Sequence, residues 1–239
     1  MAENSYKDWE YARLGDYHRN LDPNWSYTPT YLKKMSYVHN FIDGLPKNAR
    51  ILDAGCGEGV LVEEYSRKGR LIEGIDINYS SKYVRQGTVT AMPYENHSFD
   101  VVLLLDVFEH IPFADQPKAL QEIGRVLKNE GSLLLSIPNL AHLTSRFRFF
   151  FRGELDRSDI EINHVSERPL NENKKVLMEN GFIIEELKGI TLTIPFIYRG
   201  VICKKPAQYR WLHDLLDYVA IPKYSMLNMF KCRAKREGE

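Results

Sequence analysis

The tightest constraint in this 239-residue chain is one nonapeptide, Ile51-Leu52-Asp53-Ala54-Gly55-Cys56-Gly57-Glu58-Gly59. An apolar strand runs straight into three glycines at alternate positions, and a helical pattern begins at once. Glycine at such a turn permits positive φ and lets a ligand approach the backbone with no Cβ in the way. The helix N-terminus adds unpaired N–H groups. Further apolar runs follow: LIEGIDI (71–77), FDVVLLLD (99–106) and GSLLLSI (131–137). Continuous runs of this length suit parallel strands covered on both faces. Helical stretches alternate with them, at Gly59–Lys68 and Asp115–Lys128. In the second, Asp115 is placed to cap, and Asn129 and Gly131 to stop, the helix. The alternation predicts an α/β fold, a doubly wound, mostly parallel sheet whose ligand lies beyond the carboxyl ends of the strands.

The flanks are read as parts of the same unit, with one domain over 1–239. Residues 1–45, rich in Trp and Tyr, form an N-terminal helical cover whose second helix spans about 29–42. The core runs over 46–139. Residues 140–170 are inserted after the fifth strand, and 171–239 complete the sheet with a helix at 171–180, a strand at 182–190, a helix near 208–218 and a last strand near 226–233. Composition sets limits. Thirty-two Lys+Arg balance 32 Asp+Glu, so the chain lacks the basic surplus of a dedicated nucleic-acid binder. No apolar run approaches the roughly 20 residues of a membrane span. Cys56, Cys203 and Cys232 are too scattered for a disulfide framework or a zinc site. A protein of the reducing cytoplasm is expected.

Two cofactor classes use a strand–glycine–helix turn. A dinucleotide wants G-x-G-x-x-G, but here the third glycine comes one place early, at Gly59, and an acid, Asp53, stands where a pyrophosphate would be repelled. Asp53 could accept from an ammonium group, and Asp76, ending the next strand in Gly74-Ile75-Asp76-Ile77, could hold both ribose hydroxyls. A positively charged sulfonium nucleoside suits this pair of acids better than NAD.

With these residues in view, the segment D-A-G-C-G-E-G followed by G-I-D-I resembles the first two motifs of the class I S-adenosylmethionine-dependent methyltransferases. The likeness continues through S-F-D-V-V (98–102), D-V-F-E-H-I (106–111), R-V-L-K-N-E-G (125–131) and L-L-S-I-P-N (134–139), and covers about 49–139. Within that superfamily the chain is loosely similar to sugar, cell-envelope and polyprenyl-catechol O-methyltransferases. The resemblance implies a Rossmann-like sheet of seven strands, the last antiparallel, and S-adenosyl-L-methionine as cofactor. It implies that Asp53, Gly55, Cys56, Gly57 and Gly59 line the methionine end, that Asp76 and Ile77 take the ribose, that Thr88 and Val89 flank the adenine, and that Leu105 and Asp106 close the floor. The family often holds the adenine amino group with an acid where this chain has Thr88. The interval from Asp76 to Tyr83 is too short for a full helix.

His110, just past the fourth strand, is the candidate base for an oxygen acceptor, with packing of the loop before Pro112 as the alternative. Asp106, Glu109 and His110 share a spacing found in metal-assisted relatives and in metal-free ones; His142 and His164 are read as solvated or hydrogen-bonded histidines of the insert, and no metal ligands are assigned. The stretch Arg146-Phe147-Arg148-Phe149-Phe150-Phe151-Arg152 is read as an amphipathic cover helix burying Phe147 and Phe150, with membrane contact as the alternative. Tyr11 and Tyr17 are candidates for a lid. The expected reaction is methyl transfer to an oxygen, less readily a nitrogen, of a small or sugar-like acceptor. The rivals are an NAD-dependent oxidoreductase and a non-catalytic binding protein. The acceptor and the oligomeric state are not legible.

Overall fold

The computed structural model describes residues 21–156 and 164–235. Its centre is a seven-stranded sheet of order β3-β2-β1-β4-β5-β7-β6. The strands are β1 Arg50–Ala54, β2 Leu71–Asp76, β3 Val84–Gln86, β4 Phe99–Leu105, β5 Leu127–Pro138, β6 Phe182–Leu192 and β7 Ser225–Ala234. The first five are mutually parallel, and β7 lies antiparallel between β5 and β6. This is the doubly wound, Rossmann-like sheet that the alternation of runs implies. The helices are α1 Thr28–Asp43, α2 Val60–Arg67, α3 Gln116–Val126, α4 Leu143–Arg152, α5 Leu170–Glu179 and α6 Arg210–Tyr218.

Period-two burial explains why the apolar runs are unbroken. Ile51, Val101 and Leu103 face one way and pack with Val38 and Ile42 of α1 and with Leu61, Val62 and Tyr65 of α2. Leu52, Val102 and Leu104 face the other way, onto Ala119, Leu120 and Ile123 of α3. Each central strand is therefore apolar on both sides, which a half-exposed sheet would not require. The strand order reverses between β1 and β4, and sheets of this kind take their ligands beyond the carboxyl ends at that switch point.

Several expectations need correction. Asn129 and Gly131 do not stop a helix. α3 ends at Val126 and β5 starts at the next residue, because Leu127 already pairs with Phe99 before the register shifts. Glu130 takes up that shift at φ +67°. Asp115 occupies the cap position without a side-chain cap bond; Pro117, with its fixed φ, starts the helix instead. Ahead of the cover helix, Asn139 accepts from the Ala141 and Leu170 amides through Oδ1 and bridges to Arg168, tying both ends of the insert together. Phe150 is 80% exposed rather than buried. The segment between Asp76 and Tyr83 forms no helix, as its length implies. The first leading helix and the lid candidates Tyr11 and Tyr17 fall outside the described residues.

Candidate active site

The glycine turn begins where β1 ends. The Gly55 and Cys56 amides both donate to the Ile75 carbonyl, at 2.7 and 3.2 Å, which folds the turn across the end of β2. Gly55, Gly57 and Gly59 all have positive φ, and Gly59 caps α2 in the left-handed region. A Cβ at Gly57 would meet no atom of the described residues within 4 Å, so the space beside that residue is open to them.

Asp53 and Asp76 sit where the sequence predicts, at the carboxyl ends of neighbouring strands. Asp53 is buried, and burial, with the charge of Asp76 adding and Lys34 opposing, raises its pKa to about 7. Asp76 is already engaged. Its Oδ2 accepts from the Gly57 amide at 2.9 Å, and its Oδ1 accepts from the amides of Asn78 and Tyr79. It thereby stitches the turn to β2 and keeps only part of its acceptor capacity for a ligand. Ile77, next in line, is exposed. The half-buried Cys56 lies at the rim of the core cluster behind the turn. Thr88 and Val89 are both half-buried, Thr88 with its Oγ1 3.0 Å from that of Thr90 and Val89 packed against the core. Leu105 packs into the α1–α2 cluster.

Asp106 has a role beyond the floor. It sits at φ +53°, and its Oδ2 accepts from Lys34 Nζ at 2.5 Å and from the Tyr27 hydroxyl at 2.9 Å. Ser136 on β5 donates its hydroxyl to Oδ1 and accepts the Asp106 amide. Burial opposes ionisation, but Lys34, Ser136 and Tyr27 outweigh it and hold the pKa at about 2. Lys34 itself is only 3% exposed. Sequence reasoning missed Lys34, Tyr27 and Ser136.

A short helical turn, Phe108–His110, follows Asp106 and Val107. It lies against the glycine turn, since Val107 occupies the space that a Cβ on Gly55 would need. Here the insert returns. The His164 ring lies 4.8 Å from that of His110, edge to face. Glu167 Oε1 is 2.8 Å from His164 Nδ1, and His164 Nε2 is 3.9 Å from Glu109 Oε1. Glu109 is 1% exposed, and neither carboxyl oxygen has a hydrogen-bond partner among the described residues. Burial first, and then the charge of Asp106, raises its pKa well above the usual carboxyl range. Glu109, His110 and His164 bring their ligand atoms within 4.8 Å of one another, a set that could hold a divalent cation. His142 does not join it. That ring is buried, sits 2.7 Å from the Thr193 hydroxyl, caps α4, and has its pKa lowered to about 4 by burial.

Comparison with known proteins decides the family. A family model described as "Methyltransferase domain" matches residues 24–187. The chain belongs to the class I S-adenosylmethionine-dependent methyltransferases. A ubiquinone biosynthesis O-methyltransferase of Haemophilus ducreyi is 30% identical to this methyltransferase over 145 residues, 51% of the chain and 60% of that protein. One from Nitrosomonas europaea is 28% identical over 51% of the chain and 58% of its own length. The match thus spans about three-fifths of either relative. A S-adenosylmethionine-dependent methyltransferase from Archaeoglobus fulgidus superposes with a TM-score of 0.59 over 94% of the chain and all of its own, at 16% identity. One from Thermotoga maritima, described as a possible histamine N-methyltransferase, gives 0.58 over 95% of the chain and 98% of its own, also at 16%. At that identity both report the fold.

The methyltransferase's crevice fits a cationic nucleoside. Two carboxylates converge at Asp53 and Asp76, and Asp53 is too buried to ionise readily without a counter-charge. A cation relieves that tension, whereas a diphosphate would add to it. Binding of S-adenosylmethionine should therefore draw the Asp53 pKa below 7 and release a proton. At pH 8 the group is already ionised and little is released; between about 7 and 5 affinity falls as pH falls. Calorimetry in buffers of different ionisation enthalpy reads the proton directly, and Asp53→Asn should abolish the release. Unchanged release in that variant would assign the proton elsewhere.

Proposed function

We propose that this methyltransferase acts on a hydroxyl oxygen of a small-molecule acceptor held between the glycine turn and the Glu109–His110–His164 cluster. The observation that supports this reading is the convergence of two imidazoles on one loop that abuts the turn. Asp53 and Asp76 are placed to hold the cofactor, and the cofactor, when bound, supplies an activated methyl group. The chain's own part is to align the acceptor, exclude water and take a proton. Glu167, accepting from His164 Nδ1–H, leaves Nε2 as the acceptor atom facing the cluster. His110 or His164 would take the proton that the hydroxyl loses when its oxygen accepts the methyl group and the cofactor's sulfur gives it up. The curated relatives are named for O-methylation, which agrees with an oxygen acceptor.

A second reading is favoured by Glu109. A buried carboxyl group that receives no hydrogen bond from the described residues is costly, and a divalent ion shared with His110 and His164 would satisfy it. One experiment separates the two. Turnover of S-adenosylmethionine is measured over a panel of phenolic and sugar hydroxyl acceptors, with and without chelator. Base catalysis predicts that His110→Ala lowers kcat by about a hundredfold with cofactor affinity intact, and that chelation changes nothing. Loss on chelation restored by Mg2+ or Mn2+, and mimicked by Glu109→Gln, would favour the ion. Wild-type kcat in both His110→Ala and His164→Ala would overturn the cluster as the chemical centre.

A further inference from the structure

A surface helix ordinarily turns its apolar residues inward. α4 does the reverse. Its buried residues are Thr144 and Ser145, while Phe149, Phe150 and Phe151 are 55, 80 and 66% exposed. The aromatic surface continues beyond the helix. Phe150 contacts Phe151, Phe151 contacts Phe147, and Phe147 meets Phe196, itself 76% exposed, with centroids 4.6–5.2 Å apart. α6 repeats the inversion. It buries His213, Leu216 and Asp217 and presents Trp211, Leu215 and Tyr218 outward. Exposed aromatic area of this extent marks an interaction surface.

The charges around it are one-sided. Residues 141–156 and 194–223 hold eight Lys+Arg and four Asp+Glu in a chain that is neutral as a whole. Two of those acids, Asp156 and Asp217, are buried, whereas Arg146, Arg152, Lys204, Lys205, Arg210 and Lys223 are exposed. Exposed Phe and Trp among Arg and Lys form the chemistry that enters an anionic lipid headgroup layer. The position is also specific. Pro138 and Ile190 both pair with Leu227, so β5 and β6 end at the same edge of the sheet as β1 and its glycine turn. α4 and Phe196 rise directly from those ends.

We propose that α4 and the Phe196–Tyr218 segment seat the protein on an anionic bilayer, with the crevice opening at the lipid surface. The class of acceptor this fits is an amphiphile resident in the membrane. Only that last clause rests on the methyltransferase reading; the docking does not.

The test is co-sedimentation with vesicles of phosphatidylcholine alone and of phosphatidylcholine with phosphatidylglycerol. Binding is expected to the mixed vesicles and to weaken with salt. A blue shift of fluorescence should accompany it and be reduced in Trp211→Phe. The triple variant Phe149→Ser/Phe150→Ser/Phe151→Ser should lose binding, and Arg152→Ala should weaken it about fivefold. Circular dichroism and S-adenosylmethionine affinity, both unchanged, show that these variants remain folded. Failure of the wild type to bind the mixed vesicles, or binding by the triple variant equal to wild type, would overturn the proposal. So would a wild-type dimer in sedimentation velocity that the triple variant makes monomeric, since the face would then belong to a second copy. Vesicle binding without any affinity for S-adenosylmethionine would leave the docking standing and remove the methyltransferase function.

Discussion

Lys34→Met is expected to cost about 3–5 kcal/mol of stability. The ammonium is nearly inaccessible and lies 2.5 Å from Asp106 Oδ2, with the Tyr31 ring 5.1 Å from the same nitrogen. Replacing it with an apolar chain of similar length leaves the Asp106 carboxylate partly buried and short of its counter-charge. The Tyr27 and Ser136 hydroxyls still donate to it, but they carry no charge. The loss should appear as a lower urea midpoint with an unchanged slope. Asp106→Asn should cost a comparable amount, because it strands the more deeply buried Lys34 ammonium, although its backbone is well tolerated. Asparagine tolerates φ +53° and keeps one acceptor for Tyr27. The double variant Lys34→Met/Asp106→Asn should recover much of the loss, because no charge is then stranded. The pair also makes stability acid-sensitive. Asp106 has its pKa lowered to about 2, so its contribution is complete above the unfolded carboxyl value near 4 and fades as pH falls from about 4 to about 2. A Lys34→Met protein within about 1 kcal/mol of wild type would mean that solvent already screens the pair.

That anchor shows what local pattern conveys and what it does not. Six of the seven strands were legible because each carries its own apolar run, whereas β3 is only Val84-Arg85-Gln86 and carries none; the cofactor end was legible because Asp53, the glycines and Asp76 lie within one strand–turn–helix–strand unit. Lys34 and Ser136 reach Asp106 across 72 and 30 residues, a distance no local window spans. A signal was nevertheless present. Tyr31, Lys34, Val38 and Ile42 fall on one face of α1, and all four are buried. A lysine within an apolar stripe needs a buried partner, and an unclaimed Asp just past a strand end is where to look for one. His164 was hidden for a different reason. It stands outside any regular element, and contacts distant in sequence bring it back to His110: the bridge from Asn139 to Arg168, and Ser166, whose amide donates to the Glu109 carbonyl. Phe150 was misplaced because periodicity assumes that the apolar side of a helix faces the core. α4 carries Phe on more than one side, so its period does not say which side turns inward.

The glycine turn offers the sharpest separation of fold from function, because two of its glycines are required for different reasons. Gly55 has φ +80°, and a Cβ there would collide with Val107 Cγ2 while lying 2.9 Å from Cγ1. Gly55→Ala should cost about 2–4 kcal/mol, combining a left-handed alanine with overpacking. Because His110 donates its amide to the Val107 carbonyl, the collision should also displace the turn that carries the imidazole. Val107→Ala in the same chain should return the overpacking share and leave only the backbone cost. Gly57 also has positive φ, at +55°, but its Cβ would enter open space. Gly57→Ala should therefore lose only about 1–2 kcal/mol of stability. Yet that open space is where the cofactor's methionine end is expected, beside the amide that Asp76 already orients. Affinity for S-adenosylmethionine should fall about 10- to 100-fold in Gly57→Ala, the cost of forcing a methyl group into a filled site. Thermal unfolding and calorimetry on the two single variants and the Gly55→Ala/Val107→Ala pair decide the matter. If Gly57→Ala bound the cofactor as tightly as wild type, the crevice would lie elsewhere, and the two acids would have to be explained as a purely structural pair, which the high pKa of Asp53 makes an expensive arrangement for a fold to keep.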